Sequence, residues 1–325
     1  MAETGDRAAL LHVVLGAAGG TGAAVVRELV GQGRSVRAVT RHGRTSVGDG
    51  AQPPASYQDA AADVTDRGQL RRALQGAAVV YHCAQPAYTR WAQEFPAMNR
   101  AVIEAAASTG AKLVFADNLY MYALGASPIT EDTPATATTK KGRVRAAMAE
   151  ELLAAHHDGK VRVAIGRSSD YFGPGGLDSA VGACFFRSVV TGKKTQWFAD
   201  LDQPHTLSYL PDMARALVVL GRRLEADGRV WHLPAADART GRQVIEAAAR
   251  AAGASPAPVV LGMGTVRLAG LFVPVLREFP ELWYEWDRPF VLDSSCFQAA
   301  FGPFAVTPLD RALGETVTWF KRRGA

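Results

Sequence analysis

Short apolar runs alternate along the first half of the chain with longer segments of helical period. The first run, Val13–Leu15, breaks into a glycine-rich loop, and then Val25, Val26 and Leu29 recur on one helical face. Five further apolar runs read as strands, at Ser35–Thr40, Tyr57–Asp63, Ala77–Ala84, Lys112–Ala116 and Val161–Ile165. Helical segments separate most of them, including a long one at Thr139–His156. Strands alternating with helices predict an α/β fold with a doubly wound parallel sheet, whose ligand lies at the carboxyl ends of the strands.

The second half is less regular. Glycines, prolines and short apolar runs follow Gly173, and His205–Leu210 reads as a strand that runs into a helix at Pro211–Leu220. We therefore predict a dinucleotide-binding domain over residues 1–172, to which a strand and helix around 205–232 return. Residues 173–325 are predicted to form mainly a smaller, mixed α/β substrate-binding region and lid.

The glycine-rich loop predicts a binding site for a dinucleotide. Gly16, Gly19 and Gly22 are spaced so that the first permits a tight turn, the second admits an anion, and the third allows close helix packing. Backbone amides at the start of the helix, at Gly20 and Thr21, would bind a pyrophosphate. In this strand–loop–helix context the glycines indicate a Rossmann-type domain, although a plain strand-to-helix turn is the simpler alternative.

The end of the second strand points to NADPH/NADP as the cofactor. An acidic residue there would bind the ribose hydroxyls of NAD, but the strand ends in Thr40 and is followed by Arg41 and, beyond it, Arg44. Guanidinium groups can bind a 2′-phosphate through paired hydrogen bonds. The alternative is an arginine cluster on a surface loop.

Composition narrows the class of protein. The 325 residues are 48% hydrophobic and 21% charged, as in an ordinary globular protein, and carry a net charge of +5 in scattered basic pairs. We expect an anionic cofactor and no nucleic-acid or membrane partner, in a cytoplasmic monomer or homodimer. Cys83, Cys184 and Cys296 lack metal-type spacing, so no metal site is predicted.

Several stretches resemble the extended short-chain dehydrogenase/reductase family, which includes sugar-nucleotide epimerases and dehydratases. The resemblance is carried by Gly16–Gly22, Asp63–Val64, Leu113–Tyr122, Arg167–Gly175 and Thr206–Ala216. It implies that Asp63, Val64, Ala84 and Ser168 also line the cofactor site. As a fold assignment the resemblance is specific, but the fold hosts many reactions.

The chain departs from the family at the catalytic positions. Aligning Tyr122 with the family's loop tyrosine places Asn118 where a Ser or Thr is usual, and Thr139 and Arg143 where a Tyr and a Lys are usual. A threonine hydroxyl is a far poorer acid than a phenol, and an arginine does not exchange protons. Asn118, Thr139, Arg143 and Tyr122 are nevertheless the candidate catalytic residues.

Three sources could replace the missing proton donor. Tyr120, Tyr122 or His82 could lie in the pocket, or Lys140 or Lys141 could point inward. The third source, which we favour, is a substrate that carries its own acid, such as a ketone beside a phenol. Asn118 would then orient the carbonyl or the phenol.

Aromatic residues crowd the C-terminal third and suggest a flat ligand. Tyr120, Trp283, Trp286 and Phe290 are the substrate candidates, while Trp91, Trp197 and Phe198 fall in predicted loops that could form a lid. The equal alternative is that the aromatic residues form the core of the smaller region.

Taken together, the sequence predicts an oxidoreductase, an NADPH-dependent ketoreductase acting on a large aromatic or polycyclic ketone. It looks similar to reductases that tailor aromatic polyketide antibiotics. An NAD(P)-dependent epimerase, dehydratase or isomerase is the alternative within enzymes, and an NADP-sensing regulator is the alternative outside them.

Overall fold

The computed structural model describes residues 10–45 and 54–324. In chain order the strands are β1 (Leu11–Leu15), β2 (Ser35–Thr40), β3 (Tyr57–Ala61), β4 (Ala77–His82), β5 (Lys112–Asp117), β6 (Val163–Arg167), β7 (Tyr171–Phe172), β8 (Thr195–Phe198), β9 (Pro204–His205), β10 (Ser208–Tyr209), β11 (Arg229–His232), β12 (Arg239–Thr240) and β13 (Pro258–Leu261). The α-helices are α1 (Gly20–Gly31), α2 (Arg67–Leu74), α3 (Trp91–Thr109), α4 (Lys140–His157), α5 (Ala183–Val190), α6 (Leu210–Arg222), α7 (Gly241–Ala252), α8 (Met263–Gly270), α9 (Ser295–Phe301) and α10 (Leu309–Arg322). Short 3₁₀ helices span Tyr88–Arg90, Leu224–Ala226 and Pro274–Glu285.

A seven-stranded sheet with the order β11-β6-β5-β4-β1-β2-β3 forms the centre of the first half of the chain. The pairs from β6 to β3 are all parallel. The apolar strands are buried on both faces, as parallel strands between helices must be. The predicted Rossmann-type, doubly wound α/β fold is confirmed.

The chain divides into two compact units, each built from several segments of the sequence. The first unit contains the described residues up to Asp117 together with 146–167 and 213–231, and the second contains 118–145, 168–212 and the described residues from His232 onward. Residues 213–231 belong to the first unit, and β11 lies beside β6 in its sheet. The segments 118–145 and 168–172 belong to the second unit because their contacts form there rather than on the sheet.

Local signals set several helix ends. Asp66 caps α2 as predicted, since its side chain accepts a hydrogen bond from the Gln69 amide at 2.9 Å. The predicted strand at His205–Leu210 is instead two two-residue strands, β9 and β10, which pair with β12 and β7 respectively. Alternation alone does not distinguish such short bridges from a sheet strand.

Aromatic side chains form the core of the second unit. Trp197, Phe198 and Trp286 are buried, with the Trp197 and Trp286 rings 5.2 Å apart at 76°. Trp197 and Phe198 lie in β8, and Trp91 begins α3 and is buried in the first unit. The prediction that these three residues lie in lid loops is therefore wrong, because burying their apolar area is more favourable than leaving it in solvent.

His12 makes the stability of the first unit depend on pH. Burial, with smaller contributions from the charges of Arg34 and Arg222, lowers the pKa of His12 from 6.5 to about 4. The unfolded chain therefore binds this proton more readily, and the stabilisation present above pH 6.5 is lost as the pH falls toward 4. We expect the wild type to lose about 3 kcal/mol more than a His12→Phe variant between pH 7 and pH 4. Denaturant titrations at both pH values measure this difference, and equal losses would contradict the assignment.

Candidate functional site

The glycine-rich loop packs so closely that two of its glycines cannot carry a side chain. Gly16 has a φ of +76°, and a Cβ placed on it would lie 2.7 Å from the backbone N and Cα of Ala84. A Cβ on Gly22 would lie 2.2 Å from the Gly16 carbonyl oxygen. The structure thus brings together Gly16, Gly22 and Ala84, three of the predicted cofactor residues.

The start of α1 is suited to an anion. Gly19 is the N-cap residue and makes no side-chain capping bond, and no acidic residue lies in the first turn of the helix. The first amide groups of a helix, here at Gly20, Thr21 and Gly22, lack intrahelical partners and lie at the positive end of its dipole. A Cβ on Gly19 would meet only the Gly16 oxygen, at 3.5 Å, so this glycine leaves open space rather than filling a contact.

Exposed cations follow β2. Arg41 and Arg44 are both exposed, and the Arg44 amide donates to Thr40 Oγ1 at 3.1 Å, which fixes the turn between them. Asp63 accepts hydrogen bonds from the amide and hydroxyl of Thr65 at 2.9 and 2.7 Å. These bonds lower the pKa of Asp63, with a smaller contribution from Arg41. Val64 beside it is buried.

The carboxyl ends of β5 and β6 are tied together by an ion pair that the sequence did not reveal. Arg167 Nε lies 3.0 Å from Asp117 Oδ2, both side chains are buried, and the two residues are in register across the strands. Asn118 follows directly. Its Oδ1 accepts a hydrogen bond from the Tyr120 amide at 3.2 Å, while its Nδ2 has no partner among the described residues, so it can donate to an oxygen of a ligand.

The side chains of Thr139 and Arg143 make hydrogen bonds to the backbone at the N-terminus of α4. Thr139 Oγ1 accepts a hydrogen bond from the Gly142 amide at 3.0 Å, and the exposed Arg143 donates to the Thr138 carbonyl oxygen. A glycine is required at position 142 because a Cβ there would lie 2.4 Å from the backbone carbonyl oxygen of Tyr120. Helix α4 itself contains no tyrosine.

Lys141 is turned inward, but its charge is taken up by two acids. The side chain is 4% exposed and pairs with Glu278 and, at 2.9 Å, with Glu281. Glu281 also accepts a hydrogen bond from the Lys140 amide at 2.7 Å. Lys140 is exposed, so of the two lysines only Lys141 is buried. The ammonium group of Lys141 donates to these two carboxylates, which gives it a structural role.

Two of the other proposed proton donors, Tyr122 and His82, are buried. Tyr122 is 2% exposed and its hydroxyl lies 2.6 Å from His232 Nε2. His82 is fully buried beside Phe95 and Phe115. His82 therefore lies in the core of the first unit, and the alternative that it serves as a proton donor in a pocket is wrong.

The substrate candidates differ in exposure. Trp286 and Phe290 are buried, whereas Tyr120 and Trp283 are partly exposed. Trp286 and Phe290 both pack on His205, so the structure gives these two residues a core role. Ser168, the remaining cofactor candidate, is buried in the second unit.

The described residues contain no group of His, Cys, Asp and Glu side chains arranged to hold a metal ion. In the same part of the chain, no helix is both long enough and apolar enough to span a membrane.

A parallel sheet whose first strand is followed by a closely packed glycine-rich loop and a helix is typical of dinucleotide-binding proteins of the Rossmann type. The sequence matches the NAD dependent epimerase/dehydratase family over residues 12–233. The chain belongs to this family.

Solved structures of similar fold include several sugar-nucleotide enzymes. MoeE5 in complex with UDP-glucuronic acid and NAD is 21% identical, with a TM-score of 0.75 over 97% of this chain and 99% of that one. The dTDP-glucose 4,6-dehydratase DesIV from Streptomyces venezuelae, with NAD bound, is 17% identical, with a TM-score of 0.77 over 97% and 98%. The UDP-N-acetylglucosamine 4-epimerase from Bacillus cereus is 16% identical, with a TM-score of 0.76 over 97% of each chain. A comparison with curated proteins gives no significant match.

Proposed function

We propose that the chain is an NADPH-dependent reductase of a carbonyl in a large aromatic or polycyclic substrate, working without the family's Tyr and Lys relay. The observation that carries this proposal is the use of Thr139 as a helix cap and the absence of tyrosine from α4. General acid catalysis contributes about 10² to 10⁴ in rate, so a chain without the relay needs another proton source. A phenol next to the carbonyl of the substrate would supply it.

The residues of the first unit fit a nicotinamide dinucleotide. Gly16 and Gly22 allow the loop to pack closely, Gly19 leaves open space beside it, and the amides that begin α1 would hold the pyrophosphate. When bound, the cofactor supplies hydride. Asn118 would donate its free Nδ2 hydrogen to the carbonyl oxygen, and Tyr120 and Trp283 would contact the substrate rings.

The preference for NADPH rests on Arg41 and Arg44. In an Arg41→Asp variant we expect the ratio of NADPH to NADH affinity to fall by about 10- to 150-fold, the equivalent of roughly 1.5 to 3 kcal/mol for a hydrogen bond to a charged group. Fluorescence titrations with both cofactors measure the ratio. Arg71→Asp makes the same charge change at another exposed arginine of this unit and should leave the ratio unchanged. An unchanged ratio in both variants would rule out a phosphate contact at Arg41.

A sugar-nucleotide epimerase or dehydratase is the second candidate, and the comparisons support it more directly. The family match and the UDP- and dTDP-sugar enzymes of similar fold favour it. Against it, an epimerase or dehydratase also has to move protons, and Thr139 and Arg143 are poor groups for this.

One labelling experiment separates the candidates. The protein is incubated with NADPH or NADH deuterated at either face of C4, and with ketones that do or do not carry a neighbouring phenol. UDP-glucose and dTDP-glucose are tested in parallel with oxidised cofactor. Deuterium in the alcohol products supports the reductase, and a rearranged or dehydrated sugar with no net cofactor consumption supports the second candidate. Tight cofactor binding with neither product supports a regulator.

A further inference from the structure

Five consecutive apolar residues of the second unit, Leu271–Val275, are exposed to solvent. The exposed fraction is 65% at Leu271 and 82% at Phe272, and Leu268, three residues earlier in α8, is 64% exposed. Single exposed apolar side chains are common on proteins, but a contiguous group of them marks a surface that binds something. We refer to Leu271–Val275 as the apolar turn.

The pattern of exposure shows that the apolar turn projects from the surface of its unit. A helix lying on a surface exposes only its outer face, and adjacent residues of a strand point to opposite sides. Five exposed residues in succession therefore have no packed face. The turn joins α8 to the 3₁₀ helix Pro274–Glu285, and these two arms pack against each other. The apolar turn is thus the tip of a hairpin.

The hairpin is held in place at its base. Val266 is buried in the core of the second unit, and Leu276 packs against that core. Arg277 joins the two arms where the turn begins. Its Nε donates to the Gly270 carbonyl oxygen at 2.5 Å, and its Nη2 donates to the Leu271 carbonyl oxygen at 2.9 Å. The fold therefore holds the apolar side chains of the tip away from the core.

The charges within this segment are all positive. No acidic residue occurs between Glu246 and Glu278, whereas Arg267 and Arg277 lie on either side of the apolar turn. Glu278 itself pairs with Lys141. Arg267 is exposed, and its side chain has no hydrogen-bond or ion-pair partner in the described part of the chain. An exposed cation beside an apolar tip complements a surface that is both anionic and apolar.

We infer that the apolar turn inserts into the surface of an anionic lipid bilayer, with Arg267 against the headgroups. Peripheral binding of this kind combines buried apolar area with attraction to anionic lipids. A projecting tip suits lipid, which rearranges around it, whereas a protein partner would need a cavity of matching shape. The inference goes beyond the proposed function and holds for a reductase and an epimerase alike, since it concerns where the chain is held.

The sequence gives no sign of this contact. We expect no membrane partner from the sequence because no apolar run is long enough to span a bilayer, which takes about 20 residues. Insertion into one leaflet needs no such run. In the sequence the apolar turn looks like a core segment, and its exposure in the folded chain is what distinguishes the two.

Flotation with lipid vesicles tests the inference. The protein is floated with vesicles of phosphatidylcholine alone and with vesicles of equal parts phosphatidylcholine and phosphatidylglycerol. We expect binding to the mixed vesicles that weakens as salt is added, because salt screens the attraction, and little binding to the neutral vesicles. No binding to the mixed vesicles, or equal binding to both kinds, would overturn the inference.

Matched leucine variants locate the contact. Leu271→Ser and Leu224→Ser make the same change at leucines that are 65% and 70% exposed, but Leu224 lies in the first unit. Leu271→Ser and Phe272→Ser should each lower the affinity for mixed vesicles about tenfold or more, since each removes a side chain that lipid would bury. Leu224→Ser should keep the wild-type affinity. All three positions are exposed, so denaturant midpoints should stay unchanged, and wild-type affinity in every variant would overturn the inference.

A second pair of variants tests the charge. Arg267→Gln should lower the affinity for mixed vesicles about fivefold, the effect of one basic residue near an anionic surface. Arg187→Gln makes the same change at another exposed arginine of the second unit and should have no effect. Equal losses in the two variants would show that net charge, and not a contact at Arg267, attracts the lipid, which would overturn its assigned position.

A second copy of the chain is the competing occupant of the apolar turn. Light scattering without lipid measures the oligomeric state of the wild type and of Phe272→Ser, and amide hydrogen exchange follows residues 268–276. We expect the same oligomeric state in both proteins, and slower exchange at the turn only when mixed vesicles are present. A wild-type dimer that Phe272→Ser converts to a monomer would assign the turn to a protein interface and overturn the inference.

Discussion

A Gly22→Ala variant is expected to lose both stability and dinucleotide binding. The added Cβ would lie 2.2 Å from the Gly16 oxygen, 2.8 Å from its carbonyl carbon and 3.0 Å from the Ala17 Cα. All three are backbone atoms, so α1 itself must move away from the end of β1. We expect a loss of about 1 to 3 kcal/mol in unfolding free energy, as for other overpacked sites, and no measurable binding of NADPH.

Gly19→Ala is the matched control, because its Cβ would meet only the Gly16 oxygen at an ordinary 3.5 Å. It should unfold at nearly the wild-type denaturant concentration and yet bind NADPH more weakly, since a methyl group would stand where the pyrophosphate approaches. Denaturant unfolding and fluorescence titration of the same preparations measure both effects. Wild-type affinity in Gly19→Ala would show that this loop does not contact the phosphates.

Replacing Lys141 should produce the second large effect. Lys141→Ala would leave Glu278 and Glu281 without their shared cation in a half-buried position. Breaking a buried ion pair by removing one partner costs about 3 to 5 kcal/mol, because the remaining charge stays desolvated. Chemical denaturation at neutral pH measures the loss in unfolding free energy.

Lys140→Ala is the control for this prediction, since the neighbouring lysine is exposed and the change should be within about 0.5 kcal/mol of zero. A triple variant, Lys141→Met with Glu278→Gln and Glu281→Gln, removes all three charges and should recover much of the lost stability. Equal stability of Lys141→Ala and the wild type would mean that the ion pair makes no net contribution.

The sequence by itself determined the dinucleotide-binding half of the protein. The strand at Ser35–Thr40, the glycine spacing from Gly16 to Gly22 and the Asp66 cap were all read directly from the chain. These features depend on residues within a few positions of one another, where periodicity, backbone freedom and capping act. The resemblance to the family also led to the expectation that Thr139 and Arg143 stand at the positions of its Tyr and Lys.

Only the tertiary structure decided which polar side chains are buried together. His205 contacts Asp170 and Glu285 across separations of 35 and 80 residues, and Lys141 contacts Glu281 across 140. It also placed Trp286 and Phe290 in the core, where the sequence left core and pocket as equal alternatives. The physical reason is that a side chain's burial and hydrogen-bond partners depend on how distant segments pack, and packing leaves no periodic signal in the local sequence.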